Sequence, residues 1–214
     1  MKVAPHLLPL AALLACAFPV AAQEAAKEAP ADPEPAWTFG VTAYHTDVRA
    51  GSNYGSGIAV ADRGPLHFEA RINYESVGAR SAFVGWSFSG GDEFKWMFRP
   101  LVGGAWGDIK AFVPALEASL GYKQFDFYTE AEYVRLKNDK ESRYLYAWTE
   151  VGYKPLDWLR LGLVVQRTRA YGGDRDIQSG PFAQATVGQF TFGGFWFNPG
   201  SGDQVFVASV GVAF

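Results

Sequence analysis

The chain has 214 residues, 49% of them hydrophobic and 16% aromatic, with 19 basic and 22 acidic side chains and a formal charge of −3. That mildly acidic balance excludes a nucleic-acid binder built on a basic face, and a single cysteine excludes a disulfide scaffold. Seven Trp, ten Tyr, seventeen Phe and 24 Gly against two Met favour β structure over a helical bundle.

Residues 1–22 have the pattern of a signal peptide: Lys2, an apolar run from Leu7 to Val20, then Val20-Ala21-Ala22 with small residues where a signal peptidase reads. An alternative is a lipobox, Leu13-Leu14-Ala15-Cys16, which would make Cys16 a lipidated first residue. Cleavage after Ala22 removes Lys2 and Cys16, leaving no thiol and 18 basic against 22 acidic residues, a charge of −4. Residues 23–35, QEAAKEAPADPEP, cannot bury an apolar face and read as an Ala/Pro/Glu-rich linker.

From residue 36 to 214 the pattern changes to strict alternation, the period of a half-buried strand. In chain order the apolar positions are Trp37, Phe39, Val41 and Ala43; a short piece at 57–62; Leu66, Phe68, Ala70, Ile72 and Tyr74; Ala82, Val84, Trp86 and Phe88; and Trp96, Phe98, Val102 and Trp106. Then come Leu116 to Tyr122, Phe125 to Tyr133, Leu145 to Tyr153, Leu159 to Val165, 181–188, and 190–198, where FTFGGFWF suggests a bulge at its paired glycines. The final strand is QVFVASVGVAF, with Phe206, Ala208, Val210, Val212 and Phe214 on one face. No stretch of the body reaches the roughly 18–20 apolar residues of a spanning helix.

Tight turns at 63–65, 90–92, 123–124, 154–157 and 188–189 nearly alternate with longer polar connections at 48–55, 137–142, 171–179 and 199–203. The count is about twelve strands at about 15 residues per strand and connection, against the roughly 9–11 a tilted spanning strand needs. Ten or eight strands are the alternatives. Periodicity does not say whether the apolar face points to a core or to lipid. Aromatic residues near strand ends, charged residues in mid-strand on the opposite face, and a chain that stops on an aromatic residue of the apolar face favour lipid.

A signal peptide followed by a closing strand with Phe206, Val210, Val212 and terminal Phe214 resembles bacterial outer-membrane β-barrel proteins. The resemblance implies an all-β, antiparallel transmembrane barrel in the outer membrane, with lipid as its surroundings. It also implies that the insertion machinery reads the last strand.

Placing the apolar face outward turns Glu69, Arg71, Arg99, Glu117, Glu130, Glu132, Glu150 and Arg160 toward the lumen, along with His67, Lys95 and Asp126. A two-residue turn at Lys123-Gln124 sets Tyr122 opposite Phe125, Leu120 opposite Phe127, and Glu117 opposite Glu130. Facing carboxylates need a cation, an arginine or a shared proton. Two readings stay open: a salt-bridge network that fills the lumen, or an acid-lined passage for small neutral or cationic solutes. The expected function is a porin-like channel, with a non-conducting structural barrel as the alternative. A barrel-embedded lipid-modifying enzyme is a third reading, resting on YHTD around His45, although no Gly-x-Ser-x-Gly is present. No catalytic residue, cofactor, metal site or nucleic-acid partner is expected, since His45 and His67 are too few for a metal motif.

Overall fold

The computed structural model describes residues 35–137, 143–170 and 175–214. The expected signal peptide and nearly all of the linker, Cys16 among them, lie outside the described residues. The strands are β1 (Trp37–Val48), β2 (Tyr54–Arg63), β3 (Leu66–Ile72), β4 (Ala79–Trp86), β5 (Phe88–Gly90), β6 (Phe94–Gly107) and β7 (Ala111–Tyr122). They continue with β8 (Phe125–Leu136), β9 (Tyr144–Leu156), β10 (Leu159–Ala170), β11 (Arg175–Val187), β12 (Phe190–Phe197) and β13 (Val205–Ala213). β4 and β5 pair with β6 in one register, Gly85 opposite Leu101 and Phe88 opposite Phe98, so they are one stave interrupted at Ser87.

Every stave is antiparallel to its sequence neighbours, and β1 pairs with β13 from Gly40–Ala213 to Val48–Val205. The sheet therefore closes into a twelve-stave barrel with no free edge. Two- and three-residue turns sit at one end (64–65, 91–93, 123–124, 157–158, 188–189); at the other the connections are longer, such as 49–53, 73–78 and 198–204, except for the three-residue 108–110. Both Trp37 and Phe214 are at the turn end. Phe214 exchanges backbone hydrogen bonds with Phe39 at 2.7 and 2.9 Å, and their rings stack 5.9 Å apart.

The alternation puts large apolar side chains on the outside. Phe68, Val84, Trp96, Phe98, Leu120, Val151, Leu163, Phe192, Phe206 and Val210 are all exposed there. Such a continuous apolar exterior far exceeds the few hundred Å² a water-soluble monomer tolerates and suits hydrocarbon. Trp37, Phe125, Tyr153 and Phe214 rim the turn end, the level at which aromatic rings anchor a membrane interface.

Two local expectations change. FTFGGFWF carries no bulge: β12 runs in unbroken register from Phe190–Val212 to Phe197–Val205. Its inner-face glycine is needed for space, because a Cβ on Gly193 would meet Ser209 Oγ at 2.4 Å. The irregularity lies on β9, where the register to β10 shifts between Leu159–Leu156 and Leu161–Tyr153. Tyr74 does not join the exterior: the chain leaves strand geometry at Asn73 (φ 54°), which swings both Tyr74 and Glu75 into the interior.

Candidate functional site: the barrel interior

The inner face is filled by side chains of the wall itself. Each stave contributes at least one inward residue that is no more than 7% exposed, from Tyr44 on β1 through Arg71, Phe83, Glu117 and Trp148 to Val207 on β13. Contacts between non-neighbouring staves confirm that the space is spanned. Arg71 of β3 reaches Glu130 and Glu132 of β8, and Trp148 of β9 meets Phe195 and Phe197 of β12 edge-on at 5.4 and 5.3 Å.

Three arginines organise the polar part. Arg71 Nε donates to Glu69 Oε1 at 2.6 Å, Nη2 donates to Glu130 Oε1 at 2.8 Å, Nη1 donates to Glu132, and Glu75 Oε1 lies 3.7 Å from Nη1. Its guanidinium carbon lies over the rings of Tyr74 (4.1 Å) and Phe83 (4.3 Å), so the flat face is stacked while the donor edge is ion-paired. Tyr74 Oη donates to Glu130 Oε2 at 2.8 Å.

Arg99 donates from Nη1 to Glu117 Oε2 at 2.7 Å and from Nε to Ser87 Oγ at 2.8 Å. Tyr128 Oη also donates to Glu117, at 3.1 Å. His67 links this group to the first: Nδ1 is 2.7 Å from Asp62 and Nε2 is 3.5 Å from Glu69.

Arg160 pairs with Asp126 (Nε–Oδ1 2.9 Å) and Glu150, donates from Nη1 to Gln184 Oε1 at 2.8 Å, and stacks on Phe182 at 4.6 Å. Gly152 makes that pair possible, since a Cβ there would stand 2.6 Å from both Arg160 Nε and Asp126 Oδ1. Trp148 joins the polar and aromatic halves: its Nε1 donates to Glu150 Oε1 at 2.8 Å while its ring packs on the Phe195 and Phe197 pair.

The structure thus places Glu69, Arg71, Arg99, Glu117, Glu130, Glu132, Glu150 and Arg160 inside and hydrogen-bonded to one another or to neighbours. Glu117 and Glu130 pair across β7 and β8, with Tyr122–Phe125 and Leu120–Phe127 beside them. Their repulsion is relieved by division, Glu117 turning to Arg99 and Glu130 to Arg71. The hydrogen-bonded set holds eight carboxylates (Asp62, Glu69, Glu75, Glu117, Asp126, Glu130, Glu132, Glu150) against three guanidiniums and His67. Among these carboxylates one buried oxygen, Glu75 Oε2, has no hydrogen-bond partner. Glu75, in the 73–78 connection, has its carboxyl pushed above the usual range by burial, against the pull of Arg71 and the Ser81 hydroxyl.

Sequence reasoning missed the aromatic half. Trp148 shares the parity of Glu150, which sufficed to place it inside, but Phe195 and Phe197 are hidden in a segment apolar on both faces. Among the described residues no three His, Cys, Asp or Glu side chains are placed to hold a metal ion. Both nitrogens of His67 face carboxylates, and His45 is exposed on the outer face of β1, opposite Gly55 of β2 and Ala208 of β13.

The barrel has counterparts among solved structures. The KdgM porin matches at TM-score 0.59 with 10% identity, over 82% of this chain and 99% of that one. The fold is that of a porin. The same porin in complex with disordered oligogalacturonate matches at 0.60 with 8% identity over the same shares, and the NanC porin at 0.54 with 10% identity over 82% and 98%. No family model and no curated protein matches the chain.

Proposed function

We propose that this chain is a porin-like outer-membrane channel for small neutral or cationic solutes, closed at rest by the packed layer around Arg71 and Trp148. The observation that carries the reading is the acid excess on the inner face of a porin-type wall. Carboxylates outnumbering guanidiniums lower the potential inside and favour cations entering a low-dielectric passage. A polyanion such as oligogalacturonate, seen with the KdgM porin, is disfavoured by the same charge. Phe206, Val210, Val212 and Phe214 form the closing strand that the insertion machinery would read.

The test uses the purified barrel in planar bilayers under a salt gradient. Trp148→Gly removes the side chain that joins the aromatic and polar halves and is expected to give unitary steps with a cation-selective reversal potential. Adding Glu117→Gln and Glu130→Gln should move that potential toward zero; an unchanged potential sinks the solute preference.

A second reading, a non-conducting structural barrel, is favoured by the buried layer itself, to which all twelve staves contribute. It predicts no steps in any of these variants while each remains folded.

A further inference from the structure

We infer that the 73–78 connection is a proton-operated strap, seated in the interior while Glu75 is neutral and released when Glu75 carries a charge. Its shape sets it apart from its neighbours. The connections 49–53 and 198–204 bury no residue, whereas 73–78 buries Tyr74 (1% exposed) and Glu75 (2%) and leaves Val77 and Gly78 exposed at its tip. Positive φ at both ends, 54° at Asn73 and 83° at Gly78, turns the chain inward and back out, so the two residues are the hinges. Several of its bonds close on the strap and its own ends: Asn73 N donates to Ala79 O at 2.8 Å, Ala79 N to Ser76 O at 3.0 Å and Gly78 N to Asn73 Oδ1 at 2.9 Å.

The elements packed on Glu75 bring charged or polar groups of both kinds. β3 brings Arg71, with Nη1 3.7 Å from Oε1, and the like charge of Glu69. β4 brings the Ser81 hydroxyl, which donates to Oε1 at 2.6 Å, and β9 brings Tyr144, whose Oη donates to the Glu75 carbonyl at 2.8 Å. β8 adds Glu132, close enough to repel a charged Glu75. Arg71 directs its donors to Glu69, Glu130 and Glu132, and Glu75 Oε2 is buried with no hydrogen-bond partner. An ionised Glu75 is thus a fourth carboxylate around one guanidinium, with one oxygen dry and unbonded. A neutral carboxyl removes that charge, which is why burial holds the group above the usual range. As pH rises through the raised value, the charge is either kept buried or carried to water, and two hinges with an exposed tip make the second a local motion.

Tyr74 leaves with Glu75, taking its ring from beneath Arg71 and its hydroxyl from Glu130. In the channel proposed above, the strap is therefore the moving part of the closed layer. The inference itself rests on the barrel and its interior, and conductance plays no part in its test.

Hydrogen exchange of the folded, detergent-solubilised barrel, followed by mass spectrometry from about pH 5 to about pH 9 and corrected for the intrinsic pH dependence of exchange, reads the release directly. In the wild type the protection of the 73–79 amides is expected to fall about tenfold or more across that range, with β10–β12 unchanged. Glu75→Gln should keep the strap protected throughout. Glu132→Gln removes a repelling charge and frees Arg71 Nη1 for Glu75, so the fall should shrink. Folding of each variant is checked by heat-dependent gel mobility. Strap protection that is independent of pH in the wild type, an equal fall in Glu75→Gln, or a fall spread evenly over β10–β12 overturns the inference. A fall as large in Glu132→Gln as in the wild type overturns the role given to the acid excess. Should that variant fail to fold, the wild type against Glu75→Gln decides.

Discussion

Arg71 and Arg160 are built on one plan and differ in balance. Each guanidinium stacks on an aromatic ring and points its donors at carboxylates. Arg71 answers four carboxylates with one charge, and its side chain is wholly buried. Arg160 answers two carboxylates and an amide, and its partner Asp126 keeps 20% exposure. Water therefore shares in solvating the second site but not the first. On the proposed reading closure resides in the dry, over-acid Arg71 layer, which resists any opening that would strand its carboxylates, while the Arg160 layer tolerates hydration.

The largest effect is expected for Arg71→Ala, which leaves Glu130 and Glu132 buried without a counter-charge and Glu69 with His67 alone. Breaking a buried pair in this way costs about 3–5 kcal/mol, read by urea unfolding of the barrel in lipid vesicles. Arg160→Ala should cost less, about 1–3 kcal/mol, because Asp126 can turn to water. Equal losses would break the comparison. Gly152→Ala drives a methyl into the Arg160–Asp126 pair and should cost about 1–3 kcal/mol, with Arg160→Ala in the same chain removing most of that penalty.

The smallest effect concerns pH. Glu75 has a folded-state pKa raised by burial, so the fold favours its protonated form. Its contribution is complete below the ordinary glutamate range and is lost as pH rises through the raised value. Glu75→Gln is expected to flatten that part of the stability profile above the usual carboxylate range and to gain up to about 1 kcal/mol at neutral pH. An unchanged pH profile of unfolding would show that Glu75 is not the titrating group.

Fold and site were legible to different degrees, for physical reasons. A side-chain period of two survives in sequence whichever neighbour a strand has, so Trp96, Phe98 and Val102 declared the outer face and Glu117 opposite Glu130 followed from one tight turn. What a strand cannot declare is contact across the barrel. Nothing local to Arg71 says that its partners are Glu130 and Glu132, about sixty residues away. Tyr74 misled because the reversal at Asn73 breaks the alternation at one residue. Phe195 and Phe197 misled because Phe192, Trp196 and their neighbours make both faces of β12 apolar, so parity carries no contrast there.

The central claim is that the packed layer, and not the wall, keeps a porin-type barrel shut. Unitary conductance of wild type and Trp148→Gly, measured side by side in planar bilayers on protein shown to be folded, tests it most directly. The account predicts few or no steps for the wild type and frequent steps for the variant; open wild-type channels of the same size as the variant's would contradict it.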